Sequence, residues 1–541
     1  MRMKSIALDR VAEPSSDHLW LSGDTPSLCV AETIRKRMTG RVPISSSRRL
    51  LTFARTAIGL RAGRSPRQTC SCFSSSTTPS HRPNYAIAHD ELRESLSSEA
   101  EVSSNAYELT QHGKDESYHP AAPPDLVVYP ASIADIQTVL ALARRDSIPV
   151  IPFGAGTSVE GHIQAIHGGI SLDLSRFFTN IQYNPESTPS LATVGAGVRR
   201  NQLNQYLKHS GYWFTVDPGA DASLGGMYAT AASGTTAVRY GTMRPNAVGC
   251  TCVLADGTVV HAGTPASPKT AVGYDLVALM AGSEGTLGVV TELTVRLQPV
   301  LEYRTTAVVV FDSLHDASQL AADLKTVEIP VLRCELLDAA SVQAFNDYSD
   351  QKRDVKPTVF LEFQSYSETA LKEQVDMTRE FCSNPVSFES GNDPNLWAAR
   401  HKLYYAAIAS RPQATGAIVT DACVPLTAFS YVLEETVADV ERSHVVGPCF
   451  GHAGDGNLHC ILPVCDDDEM TGYWDKIHGV QTRLMDRTLA AGGSVSGEHG
   501  VGSGKKYYLE RQYGSGALHM MRLVKQSLDP YNILNPGKVL P

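Results

Sequence analysis

The stretch Gly451-His452-Ala453-Gly454-Asp455-Gly456-Asn457-Leu458-His459 constrains the fold of this 541-residue chain more than any other part of it. Its glycines rule out a regular helix, since each costs about 1 kcal/mol there relative to alanine. What remains is a turn with an imidazole near each end, for which Asp455 and Asn457 are good turn formers. About forty residues on, Gly497-Glu498-His499-Gly500 brings a carboxylate and a third imidazole on another glycine-flanked segment. Imidazole and carboxylate suit a borderline divalent cation such as zinc or manganese. Three protein ligands leave one position open for substrate. His452, His459 and Glu498 are therefore the candidate metal ligands. His499 is then a spare base beside a Lewis acid, which suits removal of a proton from an alcohol.

A second group of glycines lies upstream. Phe153-Gly154-Ala155-Gly156-Thr157-Ser158-Val159-Glu160-Gly161 follows an apolar run that reads as a strand. Glycines let the backbone approach a ligand closely, and successive amides form a nest for an anion. Asp217-Pro218-Gly219-Ala220-Asp221 and Ser223-Leu224-Gly225-Gly226 open a run of small residues, a helix start with little bulk over its free amides. Arg239-Tyr240-Gly241-Thr242 and Gly282-Ser283-Glu284-Gly285-Thr286-Leu287-Gly288 complete the set. Four such clusters point to a large phosphate-bearing cofactor lying along this region. The spacing does not fit a Rossmann unit, because no GxGxxG joins a strand to a helix with an acidic residue about twenty positions on.

These segments resemble the FAD-binding domain of the vanillyl-alcohol-oxidase type flavoproteins, and within them the D-2-hydroxyacid dehydrogenases. The resemblance runs from about Pro123 to the end and includes the terminal Asn535-Pro536-Gly537-Lys538. It implies an α+β protein: a two-lobed FAD-binding domain with a ferredoxin-like α+β cap over the flavin. It implies that Gly154, Ala155, Gly156, Thr157, Ser158 and Gly161, with Pro218, Gly219, Ser223, Leu224, Gly225 and Gly226, hold the pyrophosphate. Gly241, Glu284, Gly285, Val290 and Asn535 are expected to line the cofactor. It implies metal binding by His452, His459 and Glu498, catalysis by His499, and capture of the substrate carboxylate by Arg400. A guanidinium offers a carboxylate two parallel donors. The reaction implied is oxidation of a small D-2-hydroxy acid, D-lactate to pyruvate, by hydride transfer to FAD, with electrons passed to cytochrome c or another acceptor. D-2-hydroxyglutarate and glycolate dehydrogenases are the alternatives of the same chemistry. An alkylglycerone-phosphate synthase, a non-redox transferase on the same fold, and a flavin- or metal-binding module without catalysis are the alternatives of another class. Two positions depart from the pattern: Phe153 stands where many relatives have arginine, and Ile461 where 2-hydroxyglutarate enzymes place asparagine.

Charge and composition exclude other classes. The formal net charge is -10 and no basic stripe crosses the glycine-rich body, which argues against nucleic acid as a partner. No apolar run reaches the roughly 18–20 residues of a membrane span, which leaves room only for a peripheral contact. The eleven cysteines form no paired CxxC sites and read as reduced, mostly buried thiols. From Thr33 to His89 there are eleven Lys/Arg and no Asp or Glu, with abundant serine and a short basic amphipathic stretch from Ile44 to Leu60. This is the composition of a mitochondrial presequence, and the resemblance, through its cytochrome c acceptor, implies the intermembrane space or the inner-membrane surface. The acidic residues among 1–32 are unusual for such a signal and make Met38 a second candidate start.

The expected organisation is a presequence over 1–89, an FAD-binding domain over 90–300, a cap over 301–494 and a segment over 495–541 that returns to the FAD domain. Strands are expected at 126–130, 149–153, 169–174, 192–197 and 288–297, with a hairpin at 250–262 around Asp256-Gly257. Ser132 and Asp135 should cap a helix to about Arg145, and Gly211 should close a helix from Arg199. Beyond Pro299 the pattern is strand, helix, strand, strand, helix to about Cys382. A second round follows with helices at 395–410, 426–442 and 470–490, all on one face of an antiparallel sheet. The last fifty residues read as glycine-rich turns. His89, His112, His401 and His478 belong to no constellation and read as structural.

Overall fold

Helix Ile133–Asp146 shows how local chemistry builds the first layer. Ile136, Val139, Leu140 and Ala143 fall on one buried stripe, the spacing expected of an amphipathic helix. Ser132 Oγ accepts the amide of Asp135 (3.2 Å), and the Asp135 carboxylate accepts the amide of Ala131 (3.1 Å) and the Ser132 hydroxyl (2.9 Å). The chain leaves the helix at Ser147 in the left-handed region. The computed structural model describes residues 84–349, 352–393 and 395–541; the basic segment, including Ile44 to Leu60, lies outside them.

The helix packs on a four-stranded sheet of β1 (Glu101–Ser103), β2 (Leu126–Tyr129), β3 (Val150–Phe153) and β4 (Ile170–Asp173), in the order β1-β2-β4-β3. The pairs β2–β4 and β4–β3 are parallel, and β2 and β4 are buried throughout, as apolar parallel strands must be. A second, antiparallel sheet follows: β5 (Ile181–Gln182), β6 (Leu191–Gly195), β8 (Ala247–Val253), β9 (Val259–Gly263) and β10 (Val289–Arg296), ordered β5-β6-β10-β8-β9. A small ribbon of β7 (Tyr212–Trp213) and β11 (Gln298–Pro299) closes its edge. The expected hairpin is the β8–β9 pair.

The third sheet is antiparallel, ordered β15-β12-β14-β13-β18-β19-β16. Its strands are β12 (Tyr303–Phe311), β13 (Val331–Leu337), β14 (Thr358–Ser365), β15 (Pro385–Gly391), β16 (Gly416–Val419), β18 (Cys449–His452) and β19 (Asn457–Val464). β17 (Ala422–Cys423) pairs with β19 beyond β16. Helices Leu314–Thr326, Glu368–Phe381, Leu426–Ser443 and Tyr473–Ala490 cover one face, around Val309, Leu336, Leu361, Phe363 and Leu433.

The helices are not confined to that face. Ala339–Tyr348, Leu396–His401 and Leu403–Ala409 pack on the other side, against Leu337, Phe360, Phe450 and Ile461. The first of these takes the place of the expected strand-to-strand connection. It is capped by Asp338, whose carboxylate accepts the amide of Ser341 at 2.7 Å. The expected helix 395–410 is two helices that meet at Lys402, and 470–490 is broken by Gly472 in the left-handed region. The C-terminal turns are instead a helical segment, Leu509–Leu528, kinked at Gly514. Ordered structure begins before residue 90: helix Tyr85–Ser95 buries Ala88 and Leu92.

Candidate active site

β18 and β19 are the two arms of the histidine turn. Phe450 lies opposite His459 in the ladder, and residues 453–455 form one 3₁₀ turn between the strands. Gly456 sits at φ 79°, and a Cβ there or at Gly451 would run into backbone, so both glycines are required. The turn brings the two imidazoles edge to face, with ring centroids 5.5 Å apart.

Each imidazole is held from behind. His452 Nδ1 lies 2.6 Å from Glu335 Oε1, and His459 Nδ1 lies 3.1 Å from the Thr420 carbonyl oxygen. Both acceptors require a proton on Nδ1, which leaves both Nε2 lone pairs facing forward. Both Nε2 atoms then lie 3.1 Å from the same atom, Glu498 Oε1. Two lone pairs against a carboxylate oxygen repel unless a proton or a cation lies between them. Bonds of about 2.0–2.2 Å to a metal give ligand–ligand edges of roughly 2.9–3.4 Å, the spacing seen here. Glu498 Oε2 is buried and has no hydrogen-bond partner. The donor set fits a divalent cation. Despite burial, Glu335 and Glu498 drive the His452 pKa well up, and the histidines hold Glu498 well down. Opposite charge is already concentrated at this point.

His499 stacks on His459 at 5.1 Å between centroids, with ring planes 20° apart. Its Nε2 is 3.7 Å from Glu498 Oε1 and its Nδ1 is 3.8 Å from Asp421 Oδ2, both too long for hydrogen bonds. Burial pushes its pKa down to about 4, against the pull of Asp421, so the ring is neutral near pH 7 and able to accept a proton. Asp421, His459, Glu498 and His499 can each place one donor atom within 4.8 Å of the others. Asp421 is the poorer ligand of that group. Its Oδ2 accepts the amides of Gly497, Glu498 and His499 at 2.8–2.9 Å and the Ser496 hydroxyl at 2.7 Å, and its Oδ1 accepts Asn457 Nδ2 at 2.8 Å.

Arg400, on the helix before the Lys402 break, is 8% exposed and lies over the Phe450 ring at 4.7 Å. Its Nε and Nη2 point to Glu335 Oε2 at 2.8 and 2.7 Å. One carboxylate thus orients the arginine and His452 together. The side edge of the guanidinium is taken, and its Nη1/Nη2 end remains for a substrate.

The cluster of His452, His459 and Glu498 opens onto one long cavity. Gly154, Ala155, Gly156, Thr157, Ser158, Pro218, Gly219, Ser223, Gly225, Gly226, Glu284, Gly285, Val290 and Asn535 line it, with Arg400, His452, His459, Glu498 and His499. Three expected cofactor residues do not. The Gly161 amide donates to Asp115 Oδ2 (3.0 Å) behind the loop. Leu224 is fully buried in the core of the second sheet. Gly241 ends a helical turn at φ 77° against Pro245. His401, which fell in no constellation in the sequence, lines the wall, as do Asp217 of the second glycine segment and His162 and Tyr404, which carried no sign in the sequence. A Cβ at Gly154 would strike Ser223 Oγ, a Cβ at Gly219 would meet open space, and Asn535 Oδ1 is buried without a partner. Bare backbone and an orphaned acceptor suit a cofactor laid along this groove.

Residues 124–263 match the FAD binding domain model, and residues 300–539 match the C-terminal domain model of the FAD linked oxidases. The chain is 42% identical over 438 residues to a probable mitochondrial D-lactate dehydrogenase of Danio rerio, covering 80% of this chain and 87% of that one. It is 36% identical over 439 residues to the mitochondrial D-lactate dehydrogenase [cytochrome] of Arabidopsis thaliana, covering 80% and 76%. The chain belongs to the FAD-linked oxidase family. Its cofactor is therefore FAD. Among solved structures, this FAD-linked oxidase is similar to p-cresol methylhydroxylase (TM-score 0.68, 15% identity, 84% of this chain and 96% of that one). An alkyldihydroxyacetonephosphate synthase is also similar (TM-score 0.64, 17% identity, 84% of each chain). At such identities the likeness concerns the fold, which is the α+β architecture of the vanillyl-alcohol-oxidase type.

Proposed function

We propose that this FAD-linked oxidase converts D-lactate to pyruvate and passes the electrons to cytochrome c. The observation that carries the substrate reading is the composition of the cavity wall beside the histidines. Among the described residues lining it, Arg400 is the only guanidinium or ammonium, and Val419, Phe450 and Ile461 are apolar neighbours. One cation and an apolar wall suit a monocarboxylate with a small alkyl group. The second carboxylate of 2-hydroxyglutarate would have no counter-charge there, and desolvating it unpaired is costly. The relatives at 34–42% identity named as D-lactate dehydrogenases favour the same substrate over a transferase reaction.

The end of the Arg400 guanidinium takes the carboxylate and fixes the α-carbon. His452, His459 and Glu498 would hold a divalent cation, zinc or manganese, which when bound supplies a Lewis acid for the hydroxyl oxygen. His499, neutral at working pH, takes the hydroxyl proton. FAD supplies the hydride acceptor when bound. Glu335 keeps both His452 and Arg400 in register with that geometry. The acceptor follows the cytochrome named in the Arabidopsis and Saccharomyces relatives. A mitochondrial location, with the basic N-terminal segment as presequence, follows their names and the composition of residues 33–89. The intermembrane space is the compartment that suits this acceptor.

The test is anaerobic addition of D- or L-lactate to the purified flavoprotein, with absorbance read near the flavin maximum at about 450 nm. D-lactate should bleach the band and L-lactate should not. Bleaching by D-2-hydroxyglutarate or glycolate, but not by D-lactate, would overturn the substrate assignment.

A further inference from the structure

The loop that carries Glu498 and His499 hangs between two buried carboxylates on segments that flank strands of different sheets. Asp421, between β16 and β17, accepts the amides of Gly497, Glu498 and His499. Glu284 holds the other end. Its Oε1 accepts the Val501 amide at 2.6 Å and its Oε2 the Gly502 amide at 2.8 Å. Glu284 belongs to the segment just before β10 and is 5% exposed. It has φ 52°, in the left-handed region, a conformation that strains a non-glycine residue. A glycine would sit there without strain, so a side chain is kept for what it does.

That side chain has a third partner. His162 Nε2 lies 3.0 Å from Glu284 Oε2, and His162 Nδ1 is hydrogen-bonded with Ser158 Oγ of the FAD loop. Ser158, His162 and Glu284 all line the cavity. The packing leaves no slack: a Cβ at Gly500, next to His499, would lie 2.7 Å from Glu284 Oε1 and 2.9 Å from His162 Nε2. Burial alone would raise the Glu284 pKa, but His162 and the two amides hold it below the usual carboxylate range.

We propose that Glu284 is a positioning residue. Through the Val501 and Gly502 amides it sets the reach of His499 toward the flavin, and through His162 it ties that setting to the FAD loop. The proposal rests on the reading of His499 as the base. It gives Glu284, which lines the cavity, a second role as a support of the loop that carries His499.

The experiment uses Glu284→Gln in the full chain. The amide keeps the shape but turns an NH₂ group toward one of the two N–H donors. Hydrogen exchange at Val501 and Gly502 should quicken about tenfold or more, while the Glu498 and His499 amides, held by Asp421, stay unchanged. FAD affinity of the apoprotein should stay within about threefold, because both Glu284 carboxylate oxygens are engaged by the Val501 and Gly502 amides and His162. The limiting rate of anaerobic reduction by D-lactate should fall roughly 10–100-fold, the cost of an ångström-scale misplacement, with half-saturation unchanged because Arg400 is untouched. Unaltered exchange at Val501 and Gly502, or a loss confined to FAD affinity, would overturn the proposal. Should Glu284→Gln fail to fold, His162→Gln removes only the third partner and should move exchange and limiting rate in the same direction by less; no change in either overturns the proposal. If His499→Ala remains fully active, the base assignment fails, and the exchange result still reports on the loop support by itself.

Discussion

Replacing Glu335 with glutamine should damage stability and metal binding together, by amounts the geometry sets separately. The carboxylate is fully buried and accepts three charge-assisted bonds: Arg400 Nε at 2.8 Å, Arg400 Nη2 at 2.7 Å and His452 Nδ1 at 2.6 Å. Glutamine keeps the volume but removes the charge. One of its ends must then present NH₂ to a donor, and the guanidinium stays buried without its counter-ion. Breaking a buried pair from one side costs about 3–5 kcal/mol. A domain is typically stable by about 5–15 kcal/mol, so the variant should still fold, with a lower urea midpoint and an unchanged slope. The effect on the metal is separate. His452 loses the acceptor that fixes its Nδ1 proton, and loss of such an outer partner costs about 10–100-fold in metal affinity. The assay strips the protein with EDTA, titrates zinc or manganese back, and follows bound metal and urea unfolding on the same samples. A glutamine variant within about 1 kcal/mol of the parent in stability and within about twofold in metal affinity would refute the reasoning. Glu335 would then be a bystander to the centre.

Three other outcomes are expected. Arg400→Lys replaces a fork with a point charge, so half-saturation by D-lactate should rise about tenfold or more with flavin content unchanged; an unaltered half-saturation would remove Arg400 from the carboxylate site. Gly154→Ala puts a methyl group against Ser223 Oγ, so the protein should purify with far less FAD at unchanged circular dichroism, and full flavin occupancy would contradict the close approach. Burial pushes the Lys538 pKa down to about 8 from 10.5, while its Nζ donates to the Gln164 carbonyl at 2.6 Å. The folded state therefore binds this proton more weakly than the unfolded chain does. The resulting stability is present above about pH 10.5 and lost as pH falls through about 8, a term of roughly 3 kcal/mol. Lys538→Met removes the term, so the stability difference between variant and parent should grow in the variant's favour from pH 10 down to 8, and parallel pH curves would exclude it.

What could be read from the residues alone was local. The Ser132 cap, the Asp256-Gly257 hairpin and the glycines of the histidine turn act within a few positions of themselves. The convergence of His452, His459 and Glu498 was legible because all three stand on glycine-flanked turns. Glu335 and Asp421 were not. Each is a single charge in an otherwise apolar strand region, Val-Leu-Arg-Cys-Glu-Leu-Leu and Ile-Val-Thr-Asp-Ala-Cys, and only the register shows its partner. Glu335 faces His452 because β13 pairs with β18, a neighbour relation across more than a hundred residues. A charge inside a buried strand was the available signal. Helix Leu509–Leu528 was hidden by Gly514 and Gly516, of which Gly514 does kink it, at a non-helical φ of 79°.

The arrangement also explains why the donors are spread over the chain. His452 and His459 sit on a rigid hairpin of the third sheet, whereas Glu498 and His499 sit on a loop with no ladder bonds of its own. A loop can present a base at hydrogen-transfer range only if its amides are spoken for, since buried unpaired N–H groups cost about 1–3 kcal/mol each. The amides of Gly497, Glu498, His499, Val501 and Gly502 find their carboxylate acceptors outside the loop. Asp421 and Glu284 supply them, one from the sheet that bears the histidines and one from the wall that bears the flavin. On the proposed reading, the reach of His499 toward bound FAD would therefore depend on how the segments that carry Asp421 and Glu284 meet. Substitutions at their junction should change the rate of flavin reduction more than they change the affinity for FAD or for lactate.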